Sequence, residues 1–304
     1  PNHLGSLQNR AATLEEINTE EEAIEDYRNY LAIDPGNPFV NCYLANLLND
    51  TGSNEEAIRY WSKAIELKND YADALFNRGL CYEQDLYKHE LAVHDLCKAV
   101  KLDPENAKFR EILADSHFSL EQYKLAIEQY TEAIKLDSSR LSCYRWRGFA
   151  HRNLEQYEKA ISDLSYSISE GEAIEDYTDY EDLAECKLKI DDSSGALLAI
   201  NELLERLELD NDDEIYPASA YRIRSAIYEA QGLIELSKSD KQKALYLELA
   251  YGEHLVEKYP DQAWCYSIRA EARAKTGDQE GADSDLCKAR ELDKKQAGSP
   301  STNH

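Results

Sequence analysis

The sequence is short of positive charge and has no long apolar run. Lys and Arg total 34 against 60 Asp and Glu, which gives a formal net charge of −26. A protein that binds nucleic acid or an anionic membrane needs the opposite balance, so we expect neither as a partner. No stretch approaches the roughly 18 consecutive apolar residues of a membrane span, so we expect no membrane insertion.

Methionine is absent, and the first residues, Pro1 to Gly5, do not form a basic and hydrophobic signal segment. Without an initiator Met, we expect a fragment or a processed form, from which a leader has been removed if there was one. The 7 Cys are odd in number and show no metal-like clustering, which indicates a reducing compartment. We therefore expect a cytoplasmic protein with free, structural thiols and no bound metal.

Catalytic signatures are missing as well. The sequence has no G-x-S-x-G, G-x-x-x-x-G-K-[ST], G-x-G-x-x-G or H-E-x-x-H motif. His89 and His94 are five residues apart, a spacing that suits no common two-His metal site. Acidic pairs arise from composition alone and indicate a solvated face rather than a glycosidase site. We expect no enzyme and no cofactor, and an enzyme or cofactor carrier stays as a distant alternative.

What the sequence does contain is an internal repeat. Short strings such as Glu-Ala-Ile recur, and their alanines follow one another at intervals of 34, 35, 34 and 34 residues, at Ala23, Ala57, Ala92, Ala126 and Ala160. A second small residue precedes each of them by twelve or thirteen positions, at Ala11, Ala45, Gly79, Ala114 and Gly148. Looser spacing continues the two series to eight repeats, with Ala184 and Ala196, Ser225 and Ser237, and Ala270 and Ala282.

Large apolar residues surround the small ones at helical spacing. In the fourth repeat one face of a helix carries Ala126, Ile127, Tyr130, Ala133 and Ile134. Small residues at two equivalent places allow two antiparallel helices to approach closely where they cross. Each repeat is therefore predicted to be a helical hairpin, with helix A followed by helix B.

The pattern resembles the tetratricopeptide repeat family, W-x2-L-G-x2-Y…A-x3-F…P. The third repeat reads Leu75-x2-Arg78-Gly79-x2-Tyr82, then Ala92-x3-Leu96, then Pro104. The resemblance implies an all-α fold, an α-solenoid of stacked antiparallel helix hairpins that forms a right-handed superhelix. We predict repeats 1–5 in tight register over 4–174, repeats 6–8 with longer connections over 175–296, and a disordered tail over 297–304.

The connections between the predicted helices are less regular than the helices themselves. Glycines are predicted to separate helices at Gly52, Gly195, Gly232 and Gly277, and additional residues lengthen the connections at 210–216 and 252–261. Arginine precedes the small residue of helix A in five of the eight repeats, at Arg10, Arg78, Arg147, Arg224 and Arg269. We predict that each of these arginines pairs with an acid of helix B and has a scaffold role.

In this family the A helices line the concave surface that takes up a peptide or a partner helix. The resemblance therefore implies a groove lined by A-helix side chains, for which the candidates are Asn46, Phe76, Asn77, Lys108, Glu111, Arg145, Phe149 and Arg152. Arg145, Arg147 and Arg152 accompany Trp146 and Phe149 on one helix, so we expect the middle of the groove to be basic and aromatic.

Some family members hold the acidic C-terminal tail of a chaperone with a clamp of Lys, Asn, Asn, Lys and Arg. The matching positions of this chain are Cys42, Asn46, Asn77, Lys108 and Ile112, so the first Lys and the final Arg are missing. A co-chaperone is therefore the narrower alternative. The favoured interpretation is a non-enzymatic scaffold or adaptor that binds a protein or peptide partner, as a possible component of a larger complex.

Overall fold

The structure is a computed structural model that describes residues 2–16, 19–171, 178–210 and 217–298. These residues form sixteen helices and no strand. The A helices are α1 (Asn2–Glu16), α3 (Pro38–Asp50), α5 (Ala72–Gln84), α7 (Ala107–Ser119), α9 (Leu141–Asn153), α11 (Thr178–Lys189), α13 (Ala218–Ala230) and α15 (Ala263–Thr276). The B helices are α2 (Glu20–Ile33), α4 (Asn54–Leu67), α6 (His89–Leu102), α8 (Tyr123–Leu136), α10 (Tyr157–Glu170), α12 (Ser193–Asp210), α14 (Ile234–Lys258) and α16 (Gln279–Gly298).

The helices belong to two compact units, Pro1–Gly171 and Glu172–His304, called here the N-terminal and the C-terminal unit. Within each unit every helix packs on the next one along the chain. Contacts between helices two apart join A helices to A helices, namely α3 to α5, α5 to α7, α7 to α9, and α11 to α13. This is the arrangement of stacked helical hairpins, and the predicted all-α solenoid class is confirmed.

Small residues meet where the two helices of a repeat cross. Ser225 donates its hydroxyl to the carbonyl of Ser237, 3.1 Å away, so two small residues touch directly. A Cβ added to Gly79 would lie 2.8 Å from Cγ of Leu96, and one added to Gly148 would lie 2.9 Å from Cγ of Leu164. Helices this close leave no room for a larger side chain, which is why Gly, Ala and Ser recur at these positions.

Local sequence explains how several helices begin and how the hairpins turn. Asn37 caps α3 by accepting hydrogen bonds from the backbone N–H groups of Phe39 and Val40, at 3.0 and 3.2 Å, with Pro38 in the first turn. The A-to-B turns of repeats 2 to 8 each include one residue with a left-handed backbone, glycine in some repeats and a larger residue in others, such as Glu155 with φ of 58°.

The arginines of helix A are paired with aspartates of helix B, as predicted. Four pairs form two-pronged contacts of 2.6–2.9 Å, joining Arg78 to Asp95, Arg147 to Asp163, Arg224 to Asp240 and Arg269 to Asp285. Arg10 makes the same contact with Asp26. The aspartates are buried, so a bidentate guanidinium is the partner that keeps their charge satisfied.

Three of these arginines also reach back to helix B of the preceding repeat. In each case the remaining guanidinium nitrogen donates a hydrogen bond to a side-chain oxygen of that helix. Arg78 donates to Ser62 at 2.8 Å, Arg147 to Thr131 at 3.1 Å, and Arg224 to Asn201 at 2.9 Å. Each arginine thereby ties three helices together. Repeats 2, 4 and 6 carry a buried leucine at the same place, at Leu44, Leu113 and Leu183. From repeat 1 to repeat 7, arginine and leucine alternate in this position.

Three boundary predictions differ from the structure. Gly195 lies inside α12, where its N–H donates to the side chain of Asp192, 2.8 Å away, so it is not a separator. Gly252 lies inside α14, and the additional residues before repeat 8 extend this helix to 25 residues instead of forming a long connection. Helix α16 continues to Gly298, into the predicted tail. The boundary at 174, the connection at 211–216 and the tail from 299 lie outside the described residues.

All seven cysteines are free. Five of them are buried, and burial raises the pKa of the Cys42 thiol to about 11 and that of Cys81 to about 11. A raised pKa keeps these side chains as unreactive thiols at neutral pH, so they act as small core residues.

Candidate functional site

The eight predicted groove residues lie on the A helices of the N-terminal unit. Asn46 is on α3, Phe76 and Asn77 are on α5, Lys108 and Glu111 are on α7, and the other three are on α9. The helices α3, α5, α7 and α9 contact one another in series, and the surface that they form is called here the A-helix face. Lys108 is exposed, Phe76 and Phe149 are buried, and the other five are half-buried.

Asn46 and Asn77 are engaged with each other. Oδ1 of Asn46 accepts hydrogen bonds from Nε1 of Trp61 at 2.8 Å and from Nδ2 of Asn77 at 2.9 Å. The two amides therefore join α3, α4 and α5, and part of their hydrogen-bonding capacity is already used. Of the other positions that match the carboxylate clamp, Cys42 and Ile112 are buried and uncharged, so Lys108 is the one cation among the five.

Phe76 and Glu111 also have packing roles. The Phe76 ring stacks on Phe109, with centroids 4.4 Å apart, and Nζ of Lys108 lies 5.5 Å above it. Glu111 accepts hydrogen bonds from Arg140 and from the hydroxyl of Ser142, which tie α7 to the start of α9. These contacts order the A-helix face, and they leave the Lys108 ammonium at its surface.

The basic and aromatic cluster on α9 is smaller than predicted. The guanidinium of Arg145 lies 5.8 Å from the Trp146 ring centre and 5.5 Å from that of Phe149. Arg147, in contrast, points to the scaffold, where Asp163 neutralises it. Arg145 and Arg152 are the other two arginines of this helix.

A pocket of about 690 Å³ opens between α5, α7 and α9 and contains most of the chemistry that the sequence did not predict. Its eleven lining residues include three carboxylates, Glu83, Asp115 and Glu121, and no Lys or Arg. Five aromatic side chains line it as well, namely Tyr87, Phe118, Tyr123, Tyr130 and Trp146. The rings of Phe118 and Trp146 meet edge to face at 5.1 Å, and those of Phe118 and Tyr123 at 5.3 Å.

The carboxylates of this pocket are held by specific partners. Asp115 accepts a hydrogen bond from the Tyr130 hydroxyl at 2.6 Å. Glu83 is buried, and its two oxygens contact the Ser119 hydroxyl at 3.0 Å and Nδ1 of His89 at 2.9 Å. These bonds join α5 to α7 and to the first residue of α6.

Burial changes the acidity of Asp115. Its pKa is raised from 3.8 to about 7, mainly by loss of solvation; the Tyr130 hydrogen bond lowers it, and the charges of Glu111 and Glu83 raise it. The pKa of the Tyr130 hydroxyl is also raised, mainly by burial and in addition by the charge of Asp115. A carboxyl group that is half ionised near neutral pH in a cleft marks a functional-site candidate.

The repeat register places Asp115 at the position that Asn46 occupies in repeat 2 and Phe149 in repeat 5, so the spacing was the available signal. It was missed because 60 acids make any single one inconspicuous. Across the described ranges, the pocket included, no group of three or more His, Cys, Asp or Glu side chains is placed to hold a metal ion. No helix among those ranges is both long enough and apolar enough to cross a bilayer.

Comparison with known proteins supports the repeat assignment. Profiles described as "TPR repeat" and "Tetratricopeptide repeat" match residues 45–85 and residues 85–140 and 113–168, respectively. A UDP-N-acetylglucosamine–peptide N-acetylglucosaminyltransferase of Giardia intestinalis is 39% identical over 69 residues, which are 23% of this chain and 4% of that enzyme. The chain thus spans a small fraction of this relative, and the match carries no information about glycosyl transfer.

Solved structures resemble the chain at low sequence identity. A tetratricopeptide repeat protein from Parabacteroides merdae has a TM-score of 0.58 at 16% identity, covering 95% of this chain and 100% of that one. YrrB, described as a TPR protein with an unusual peptide-binding site, has a TM-score of 0.54 at 19% identity over 59% of this chain and 91% of its own. MamA from Desulfovibrio magneticus has a TM-score of 0.53 at 17% identity over 56% and 95%. The profile matches and the stacked hairpins show that the chain contains tetratricopeptide repeats, and the solved structures share their fold.

Proposed function

We propose that the chain is a protein-interaction scaffold and that the A-helix face of its N-terminal unit binds an extended segment of a partner protein. Tetratricopeptide repeat proteins generally bind proteins or peptides, and the fold supports a scaffold in general. The observation that carries the specific assignment is the pocket of about 690 Å³ between α5, α7 and α9. Its size and its aromatic lining are those of a ligand site rather than of a packing defect.

The residues around the pocket fit this role. Trp146 is 37% exposed and Lys108 is exposed, so both side chains are accessible to a partner. Arg145 stacks beside Trp146. Aromatic and Arg side chains are the types enriched at binding hot spots.

The proposal is tested by selecting peptides against the full chain and by reversing charges. A displayed library of ten-residue peptides is panned against the protein, and the affinity of a selected peptide is measured by calorimetry. We expect Arg145→Glu together with Arg152→Glu to weaken it at least tenfold. The matched control reverses Lys98 and Lys124, which are exposed on the B helices α6 and α8, and should leave the affinity within twofold. Equal loss in both double variants would contradict the assignment of the face.

The co-chaperone alternative makes a different prediction. A carboxylate clamp binds the free terminal carboxylate of an acidic tail through several cations, and here Cys42 and Ile112 stand where two of them would be. We therefore expect an acidic peptide to bind equally weakly with a free and with an amidated C-terminus. A preference of tenfold or more for the free carboxylate, lost in Lys108→Ala, would favour the co-chaperone.

The enzyme alternative gains nothing from the pocket chemistry on its own. The tetratricopeptide fold is typically non-enzymatic. Asp115 has an altered pKa, but nucleophile, base and oxyanion donors are not assembled around it in the described part of the chain. Binding is therefore the function that we propose for this site.

A further inference from the structure

The pocket of the A-helix face has the opposite charge to the α9 arginines beside it. Its three carboxylates face one imidazole, that of His89, and the eleven lining residues contribute no Lys or Arg. Glu83 is 7% exposed, so its charge acts in surroundings where solvent screens it weakly. Such a cavity attracts a cation and disfavours an anion.

The walls of the pocket are suited to a cation as well. The Phe118, Tyr123 and Trp146 rings meet in edge-to-face pairs at 5.3 and 5.1 Å, so they form one continuous aromatic wall. Tyr87, 76% exposed, stands at the rim, with its ring 6.4 Å from that of His89. Aromatic faces attract a desolvated ammonium or guanidinium, in addition to the attraction of the carboxylates.

We propose that this pocket receives the ammonium group of a lysine side chain of the bound peptide, an inference that rests on the proposed function and names the chemistry of its ligand. The chain of four methylenes lies along the Phe118 and Trp146 rings, and the ammonium lies against Asp115. The pocket volume accommodates a whole lysine side chain and part of its backbone.

The choice of lysine over arginine follows from the carboxylate oxygens. Both oxygens of Glu83 have partners, Ser119 and His89, and Oδ1 of Asp115 accepts the Tyr130 hydroxyl. Among the described residues no donor is bonded to Oδ2 of Asp115, so the two enclosed carboxylates offer one open oxygen, while Glu121, the third carboxylate, is exposed to solvent. A single oxygen suits a compact ammonium, whereas a guanidinium gains most from two parallel hydrogen bonds to one carboxylate.

The test uses N-acetyl-lysine methylamide as the probe and the full chain labelled with ¹⁵N. The 3 Trp give three indole N–H signals, of which that of Trp146 reports on the pocket. We expect the lysine probe to shift the Trp146 signal in a saturable manner. The norleucine analogue, which lacks the charge, should bind at least tenfold more weakly, and the arginine analogue should bind more weakly than the lysine probe.

Two variants test the assignment to these residues. Asp115→Asn keeps an oxygen for the Tyr130 hydroxyl but removes the charge, and it should weaken lysine binding about tenfold. Tyr87→Gly removes the rim ring at a position whose φ of 51° favours glycine, so the fold is retained and binding should fall a few-fold. Glu128→Gln removes one charge from an exposed position of α8 and should leave binding unchanged.

The outcomes separate this inference from the proposed function. Equal binding of the lysine and norleucine probes, stronger binding of the arginine probe, or full binding by Asp115→Asn would overturn the lysine assignment. The binding of selected peptides and its dependence on Arg145 and Arg152 would remain untouched by those results. Conversely, a face that binds no selected peptide while the probe still shifts Trp146 would overturn the proposed function alone.

Discussion

Replacing Asp115 by Asn should make the protein more stable at alkaline pH and leave it nearly unchanged in acid. Burial raises the pKa of this carboxyl group from 3.8 to about 7. Well below pH 4 the group is protonated in both the folded and the unfolded chain, so its ionisation does not change the free energy of unfolding. As the pH rises from about 4 to 7, the unfolded chain releases the proton while the folded chain retains it, and stability is lost until both forms are ionised.

The size of this effect follows from the shift. A rise of about three pKa units, at about 1.4 kcal/mol each, gives an upper bound of about 4 kcal/mol at pH 8. Water that reaches the pocket reduces this figure. Asn is similar in size and still accepts the Tyr130 hydroxyl, so the variant removes the ionisation and little else.

The assay is urea unfolding of the full chain and of Asp115→Asn at pH 5.5, 7 and 8, followed by Trp fluorescence. The variant should gain stability relative to the wild type as the pH increases, by about 2 kcal/mol between pH 5.5 and 7. The charges that face Asp115 are Glu83, Glu111, Glu121 and His89, and they are the same in both proteins. A stability difference that does not depend on pH would refute the reasoning, as would a wild type that is the more stable protein at pH 8.

Three further substitutions test the scaffold. Asp95→Ala should lower the free energy of unfolding in urea by about 3–5 kcal/mol, because it leaves the half-buried Arg78 guanidinium without its partner. Replacing both residues of this pair by the Leu and Gln that repeat 4 carries at these positions should recover most of the lost stability. Gly148→Ala should cost about 1–3 kcal/mol by the same assay, since its Cβ would lie 2.9 Å from Cγ of Leu164. Glu155→Gly should stabilise the protein by about 1 kcal/mol and so raise its thermal midpoint, because the φ of 58° is strained for a residue with a Cβ.

Each of these has its own control. Asp103→Ala removes a half-buried carboxylate that pairs with no arginine and should cost about 1 kcal/mol or less. Gly5→Ala adds a Cβ that meets nothing within 4 Å and should be neutral or stabilising. Glu121→Gly, at the equivalent turn of repeat 4, should behave as Glu155→Gly does. If the leucine and glutamine replacement is as unstable as Asp95→Ala, the alternation of the repeats has another cause.

The fold could be predicted because the constraint is local and repeated. A small residue at one place in helix A requires a small residue at one place in helix B, and both stand in the sequence at regular intervals, as the Ser225 to Ser237 contact illustrates. The arginine partners were predicted for the same reason. Helix ends were harder, since Gly195 and Gly252 lie inside helices and only tertiary packing decides this.

The candidate site could be predicted only in outline. The helices that line it follow from the register, but Ser119 reaches Glu83 across 36 positions of sequence, and such a bond has no local signal. The raised pKa of Asp115 depends on how completely Phe118, Tyr130 and the neighbouring acids enclose it. Enclosure is a property of the assembled unit, so the acids that matter are indistinguishable from the solvated ones in the sequence.

The alternation of arginine and leucine along the stack makes two repeats, rather than one, the smallest piece that can be removed without mismatch. Excising 72–140 would bring Arg147 against Ser62, the partner that Arg78 has now. Excising 107–140 alone would bring it against Cys97, a thiol that accepts a guanidinium hydrogen bond poorly. Removing repeats 3 and 4 together therefore keeps the bond between Arg147 and the preceding helix, and removing repeat 4 alone loses it.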